Sequence, residues 1–263
     1  MKRKQAEFDG ERANLYELAI AKFPDSRKND IEAMLKTLEP KQGERIIGLG
    51  EGNGYFSKAI SEAIGVKGYY LVTDPSKDQL ENLVRRINLP QMHVQVAGAE
   101  EIEVPESSFD KVWCFGGFHH VHNQTEAMKR IYNALINGGK AIICEVFQGS
   151  NLARHFDSFV ARYCVTGHEV KFLSEEFART LCYLAGFDET KIRTEELPQK
   201  WIFDSEKDLG EFIYNLHAIT LLTGTEEEKI QQTLESCKKI LGVNYNNRKY
   251  ELNWPMKALI IEK

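Results

Sequence analysis

The chain is poor in the residues that cross-link or anchor a protein. Its 263 residues contain only five cysteines, Cys114, Cys144, Cys164, Cys182 and Cys237, widely spaced and with no Cys-x-x-Cys pair. An odd, scattered set excludes a disulfide framework and carries no thiolate zinc signature. Cys114 and Cys144 lie in apolar runs, as buried, reduced thiols do. No apolar run approaches the length that crosses a bilayer. The start of the chain is charged, with Lys2, Arg3 and Lys4, where a secretory leader would be apolar. A cytoplasmic protein with no membrane contact is therefore expected. A basic stripe is also missing: 34 Lys and Arg are interspersed among 39 Asp and Glu, for a net charge of −5. That balance offers no footprint for a phosphate backbone, so the expected partner is a small-molecule substrate and no nucleic acid. There is no internal repeat and no low-complexity tract, and nothing specifies an oligomeric state.

What is present suits one α/β domain with additions. Hydrophobic residues make up 42% and charged residues 28%, ordinary values for a globular chain. Apolar spacing predicts an amphipathic helix over ~5–23, stopped at Pro24 and Asp25, and a second helix capped by Asn29. Short apolar runs then alternate with helical periods. Strands are expected at Arg45–Leu49, Tyr69–Thr73, Met92–Val96, Phe109–Phe115 and Lys140–Phe147. Helices are expected at Phe56–Ile64, Ser76–Ile87 and Gln124–Ile136. This alternation implies βαβ units and a parallel sheet. Helices at 150–164 and 174–184 come next, then a strand from Lys191 toward Phe203. Two helices at ~206–222 and ~226–241 precede a closing strand, Tyr250–Ile261, expected to run antiparallel near the sheet edge, where Pro255 is tolerated. One domain over 1–263 is thus expected, with a helical cover over 1–27 and a helical insertion over 204–245 placed to act as a lid.

Chemistry concentrates at Ile46-Ile47-Gly48-Leu49-Gly50-Glu51-Gly52-Asn53-Gly54. Glycines between a strand and a helix allow a tight turn and close approach of a ligand to the backbone. N–H groups at a helix start favour an anionic or carbonyl-bearing group. Asp74 ends the second strand, where a carboxylate can accept from both hydroxyls of a ribose; the alternative is a cap for the helix at Ser76.

Further blocks stand in register: Ala97-Gly98-Ala99-Glu100, Phe109-Asp110, Phe118-His119-His120-Val121 and Leu135-Ile136-Asn137-Gly138-Gly139. Together with the glycine turn and Asp74, this set resembles the class I S-adenosylmethionine (SAM)-dependent methyltransferases over about residues 28 to 147, and more loosely beyond. The resemblance implies a Rossmann-like, doubly wound, mostly parallel seven-stranded sheet with helical additions at both ends. It implies SAM as cofactor, held by Gly50, Glu51, Gly52, Gly54, Tyr55, Asp74, Pro75, Ala99, Glu100, Phe115 and Gly116. Two positions depart from the family: the acid that usually precedes the glycine turn is Gly48, and Gly98 stands where an adenine-binding Asp is common. Glu51 and Glu100 are near enough in sequence to substitute.

His119, His120 and His122 follow the fourth strand, at the carboxyl edge where such sheets bind ligands. They read as a general base or as packing residues; without a matching carboxylate spacing, no metal site is expected. His119 and His120 are the candidate catalytic residues. Phe8 and Tyr16 are placed to cover the cofactor. Phe147, Phe156, Phe159, Tyr163, Trp201, Phe203, Phe212, Tyr214 and Trp254 are candidates for an apolar pocket, with a core role as the ordinary alternative. The favoured reading is a methyltransferase acting on a small molecule. A SAM-consuming enzyme that cyclises or transfers the amino-acid arm, releasing methylthioadenosine, is the alternative motivated by Gly48 and Gly98. A non-catalytic SAM-binding module is a third.

Overall fold

A computed structural model describes residues 7–168 and 170–263. Five parallel strands form in the expected order: β1 (Arg45–Leu49), β2 (Tyr69–Asp74), β3 (Met92–Val96), β4 (Phe109–Phe115) and β5 (Leu135–Glu145). They are joined by the helices α3 (Ser57–Ile64), α4 (Lys77–Arg86) and α5 (Gln124–Ala134). Two helices precede them, α1 (Glu11–Lys22) and α2 (Lys28–Leu38). After β5 the chain forms α6 (Asn151–His155), a π-helical turn at Phe156–Val160, α7 (Ala161–Tyr163) and α8 (Glu175–Ala185). It then builds β6 (Ile192–Phe203), α9 (Glu206–Leu216), α10 (Glu226–Ile240), β7 (Val243–Asn246) and β8 (Lys249–Glu262).

The sheet order is β3-β2-β1-β4-β5-β8-β6. β8 runs antiparallel to both β5 and β6, one strand in from the edge. Seven strands thus follow the doubly wound order. An eighth, β7, pairs with Lys249–Leu252 of β8, beyond the stretch that β5 covers. Alternation along each strand separates two cores. Ile46, Ile142 and Cys144 face α2, α3, α9 and α10, whereas Ile47, Ala141 and Ile143 face α5 and α8.

Several boundaries differ from the sequence reading, each for a local reason. The first helix begins at Glu11, because Gly10 has φ 63° and breaks the helical path; residues 5 and 6 of that expectation lie outside the described residues. Asn29 does not cap α2: it sits within the first turn, and its Nδ2 donates to the Lys200 carbonyl at 3.2 Å, tethering α2 to β6. α5 ends at Ala134, and Gly138 and Gly139 lie inside β5. A Cβ at Gly139 would stand 2.9 Å from the Ile136 carbonyl and 3.0 Å from that of Asp110, so the strand pairs closely only without a side chain there. The segment expected as one helix over 206–222 stops at Leu216, with Ala218 at φ 50°. Ser76, Ser174 and Thr225 cap α4, α8 and α10 through their hydroxyls.

Candidate functional site

The glycine turn lies at the carboxyl end of β1. Gly50, Gly52 and Gly54 all have positive φ, 63°, 55° and 80°, a conformation that glycine adopts without strain. Gly50 also backs onto Gly117 beyond β4, and a Cβ on it would reach the Gly117 Cα at 3.7 Å. The two strand ends therefore approach as bare backbone. Asp74 is buried at the end of β2, where its carboxylate oxygens accept from the N–H of Gly52 at 2.9 Å and of Ser76 at 2.7 Å. Burial pushes its pKa up to about 6 against these two hydrogen bonds. Pro75 is exposed beside it.

Both departures at glycine are filled by acids. Glu51 is buried and folds back over Gly48: a Cβ at Gly48 would lie 2.7 Å from the Glu51 Cγ and run into the Tyr70 hydroxyl. The Glu51 carboxylate accepts from the Ser57 hydroxyl at 2.8 Å. Desolvation, opposed by Ser57 and Tyr70, pushes its pKa up to about 7. Glu100 lies against Gly98, its Oε2 3.0 Å from where a Cβ would stand. Ala99 is buried beside it. The side chains present thus fit SAM: a Cβ-free cradle, an acid at the arm end and an acid at the adenine end.

Tyr55 and Phe115 do not stand in the glycine cradle itself. The Arg27 guanidinium lies 4.7 Å from the Tyr55 ring centroid, and Phe115 packs on Phe56 at 4.7 Å between centroids. Arg27 is itself buried. Its Nε donates to Asp30 at 2.8 Å, and Asp30 also accepts from Trp201 Nε1 at 3.0 Å and Gln199 Nε2 at 2.7 Å. Gly116 has φ 62° and opens onto a cavity of about 100 Å³ whose walls include Phe8, Arg12, His119, His168, Trp201 and Trp254. Phe156 lines this cavity as expected, whereas Phe147, Phe203 and Phe212 belong to the cores. A larger cleft of about 630 Å³ lies at the amino end of the sheet, near Lys36, Glu44, Lys111 and Arg193. Lys111 is paired there with Glu44 at 3.0 Å. That cleft is a solvated groove remote from the glycine turn.

The histidines form one wall of the small cavity. His119 is buried; its Nδ1 lies 2.6 Å from Glu145 Oε2, and its backbone N–H donates to the same oxygen at 2.7 Å. A carboxylate partner places a hydrogen on Nδ1, so in the neutral ring the lone pair is on Nε2. His120 Nδ1 lies 2.8 Å from Glu7 Oε2, and its ring stands edge-on to Phe8. Burial, the neighbouring His119 and Arg12 lower the His120 pKa to about 4, against the pull of Glu7. His168 joins them from the segment after α7, with its pKa lowered to about 2, chiefly by burial. The sequence reading missed Glu145, His168 and Glu7. Glu145 had a legible signal, a carboxylate ending the apolar run Ala141–Cys144; His168 had none.

The fold and this turn define a class: a doubly wound sheet with an antiparallel penultimate strand and a glycine cradle opposite an acid, the architecture of class I SAM-dependent methyltransferases. Residues 47–143 match the methyltransferase-domain family. Among curated relatives, tRNA U34 carboxymethyltransferase of Syntrophotalea carbinolica is 30% identical over 111 residues, 40% of this chain and 33% of that protein. The ubiquinone/menaquinone biosynthesis C-methyltransferase UbiE of Stenotrophomonas maltophilia is 29% identical over 41% of this chain and 45% of its own length. The match thus spans less than half the length of these relatives. Phosphoethanolamine N-methyltransferase 2 of Haemonchus contortus, in complex with phosphomonomethylethanolamine and S-adenosylhomocysteine, superposes with a TM-score of 0.65 at 21% identity, over 95% of this chain and 57% of that one.

Proposed function

We propose that the protein transfers a methyl group from SAM to a small-molecule acceptor enclosed beneath the N-terminal helix. The observation that carries this is the cavity itself, walled by aromatic rings and imidazoles and reached directly from Gly116. Its about 100 Å³ is room for roughly three waters, so the acceptor's reacting end is gripped and water is excluded.

In this reading the cradle of Gly50, Glu51, Gly52 and Gly54 holds the methionine end. The Asp74 oxygens use their remaining lone pairs on the ribose, with Pro75 at its rim. Ala99 and Glu100 contact the adenine, while Tyr55, Phe115 and Gly116 shape the passage to the acceptor. SAM supplies an electrophilic methyl carbon, to which an acceptor lone pair bonds while the carbon–sulfur pair stays on sulfur as a neutral thioether. The chain's own part is alignment and exclusion of water. His119 stands beside the reacting atom, aimed by Glu145 as a positioning residue, and the acceptor's proton leaves through the histidine wall with His120.

Residues 7–22 act as the cover. The Ser76 hydroxyl donates to the Phe8 carbonyl at 3.1 Å, and the Gly10 N–H donates to Asp78 at 2.9 Å, so this segment lies across the Asp74 end of the groove. α9 packs against α1 and completes the lid with α10. With Glu51 over Gly48 and Glu100 against Gly98, the two departures no longer argue for a different pose of the amino-acid arm.

The test is incubation with SAM and the low-molecular-mass fraction of a cell extract, reading the sulfur product by mass spectrometry. S-adenosylhomocysteine formed only with that fraction is expected. Methylthioadenosine would overturn methyl transfer, and label incorporated only into RNA or protein would overturn the small acceptor.

A further inference from the structure

Three imidazoles from two distant stretches of chain meet at the cavity wall. The ring centroids of His119 and His120 are 4.2 Å apart, and those of His168 lie 5.4 and 5.1 Å from them. One ring nitrogen of each lies within 4.8 Å of those of the other two. His168 is 5% exposed, and neither of its ring nitrogens has a hydrogen-bond partner among the described residues. Buried His155 also keeps both ring nitrogens unpartnered; what sets His168 apart is its place beside two other imidazoles at the cavity wall. His119 is gripped through Nδ1 by Glu145, while Glu7 Oε2 lies 2.8 Å from His120 Nδ1 without the geometry of a hydrogen bond. A carboxylate on one nitrogen fixes the tautomer and turns the other toward a ligand position, as outer partners do for metal-binding histidines.

We propose that His119, His120 and His168 bind one divalent transition-metal ion of the zinc type, whose remaining position faces the cavity. The proposal rests on the methyl-transfer reading only for what occupies that open position. Three imidazole nitrogens suit zinc and its neighbours better than magnesium or calcium, and three histidines with an open position form the pattern of catalytic rather than structural zinc. The local charge also fits. Glu145 and Glu7 bring two negative charges and Arg12 returns one; Arg12 is held by Glu7 and by Thr166 Oγ1 at 2.6 Å, on its own side of the cluster. Metal binding draws the three nitrogens to roughly 3.3 Å apart at tetrahedral zinc–nitrogen lengths. With the metal bound, His119 and His120 serve as its ligands, so an acceptor hydroxyl or thiol in the open position gives its proton to solvent rather than to His120 and stays as the bound anion, the form that attacks a methyl carbon.

The experiment uses the full chain, stripped with a chelator and dialysed. Zn(II) is titrated calorimetrically with Mg(II) in excess, and Co(II) is followed by its visible absorption. One equivalent of tight binding and the intense bands of tetrahedral Co(II) are expected. His168→Phe, which keeps the stacking on Phe156 at 4.9 Å, abolishes both while circular dichroism stays native. Glu145→Gln weakens binding about 10–100-fold, and His93→Gln on exposed β3 changes nothing. Absence of a stoichiometric site, or a site indifferent to His168→Phe, overturns the proposal. The sulfur product is measured on the same preparations. S-adenosylhomocysteine formed at an undiminished rate by metal-free protein overturns the metal's part at the acceptor. Zinc bound by a protein that makes no S-adenosylhomocysteine leaves the metal site standing and overturns the methyl-transfer reading instead.

Discussion

Glu51 folds back over Gly48, so that its Cγ lies 2.7 Å from the place where a Cβ at position 48 would stand. In the proposed function the acid for the cofactor's amino-acid arm is thus delivered from within the turn, and the glycine before it is what makes room.

Binding of SAM should therefore report on Glu51. With the carboxyl pushed up to about 7 by burial, only its ionised form attracts the ammonium of the arm. Affinity should rise as pH goes from 5.5 through 7 and flatten above about 8. Glu51→Gln should bind about 10-fold more weakly, the share of one charge-assisted contact, with no such rise. Calorimetric titration with S-adenosylhomocysteine checks this, and a variant that keeps the wild-type pH profile would remove Glu51 from the arm site.

The same carboxyl should mark the stability of the ligand-free protein. Its folded pKa stands above the unfolded value, so the folded state binds the extra proton. The stability it contributes is complete below about 4.5 and is lost as pH rises through about 7. The shift corresponds to about 3 kcal/mol. Buried imidazoles such as His155, lowered to about 4, act in the opposite sense below 6.5, so variant and wild type must be compared at each pH. The melting temperature of Glu51→Gln relative to wild type should increase between pH 5 and pH 8; a constant difference would contradict the assignment.

Restoring the family's usual acid at position 48 should fail. Gly48→Asp drives a Cβ into Glu51 and the Tyr70 hydroxyl, and overpacking of this kind costs about 1–3 kcal/mol. Chemical denaturation should show that loss, together with weakened SAM binding. Adding Glu51→Ala and Tyr70→Phe should recover most of the stability. Recovery without them would mean that the turn is softer than its packing implies.

Asp30 should be the most sensitive polar residue beneath the cavity. It receives Arg27, Gln199 and Trp201 in a dry site, so Asp30→Ala leaves the Arg27 charge buried and unpaired, at a cost of about 3–5 kcal/mol. Arg27→Met with Asp30→Leu should cost far less than the two single losses combined. A urea double-mutant cycle gives the coupling, and additive losses would show that the pair is not energetically joined.

The βαβ half of the molecule was readable because its signals are local. β1 begins after Glu44 and ends before Gly50, β2 begins after Gly68, β4 ends before Gly116, and Asp74 marks its own strand end. The cavity was not readable, because it is assembled across the chain. His168 follows α7 in a segment without periodicity, and Glu7 precedes the first helix. Only the fold brings them to His119 and His120, which is why the sequence offered no ligand spacing for a metal. Gly138 and Gly139 misled in a different way: they mimic a helix stop, yet close packing against the Asp110 carbonyl makes them strand residues.

The π-helical turn at Phe156–Val160 carries one residue more than an α-helical path would need. Phe156 consequently faces His168, at 4.9 Å between centroids, while Phe159 lies flat on His155 at 5.7 Å. A helix that loses one residue turns everything after it by about 100°. Deleting a single codon here would change the bearing of Phe156 relative to Phe159 while β1, β2 and the glycine turn stayed as they are. In the proposed function, the face that Phe156 turns to the cavity is thus a matter of angular phase.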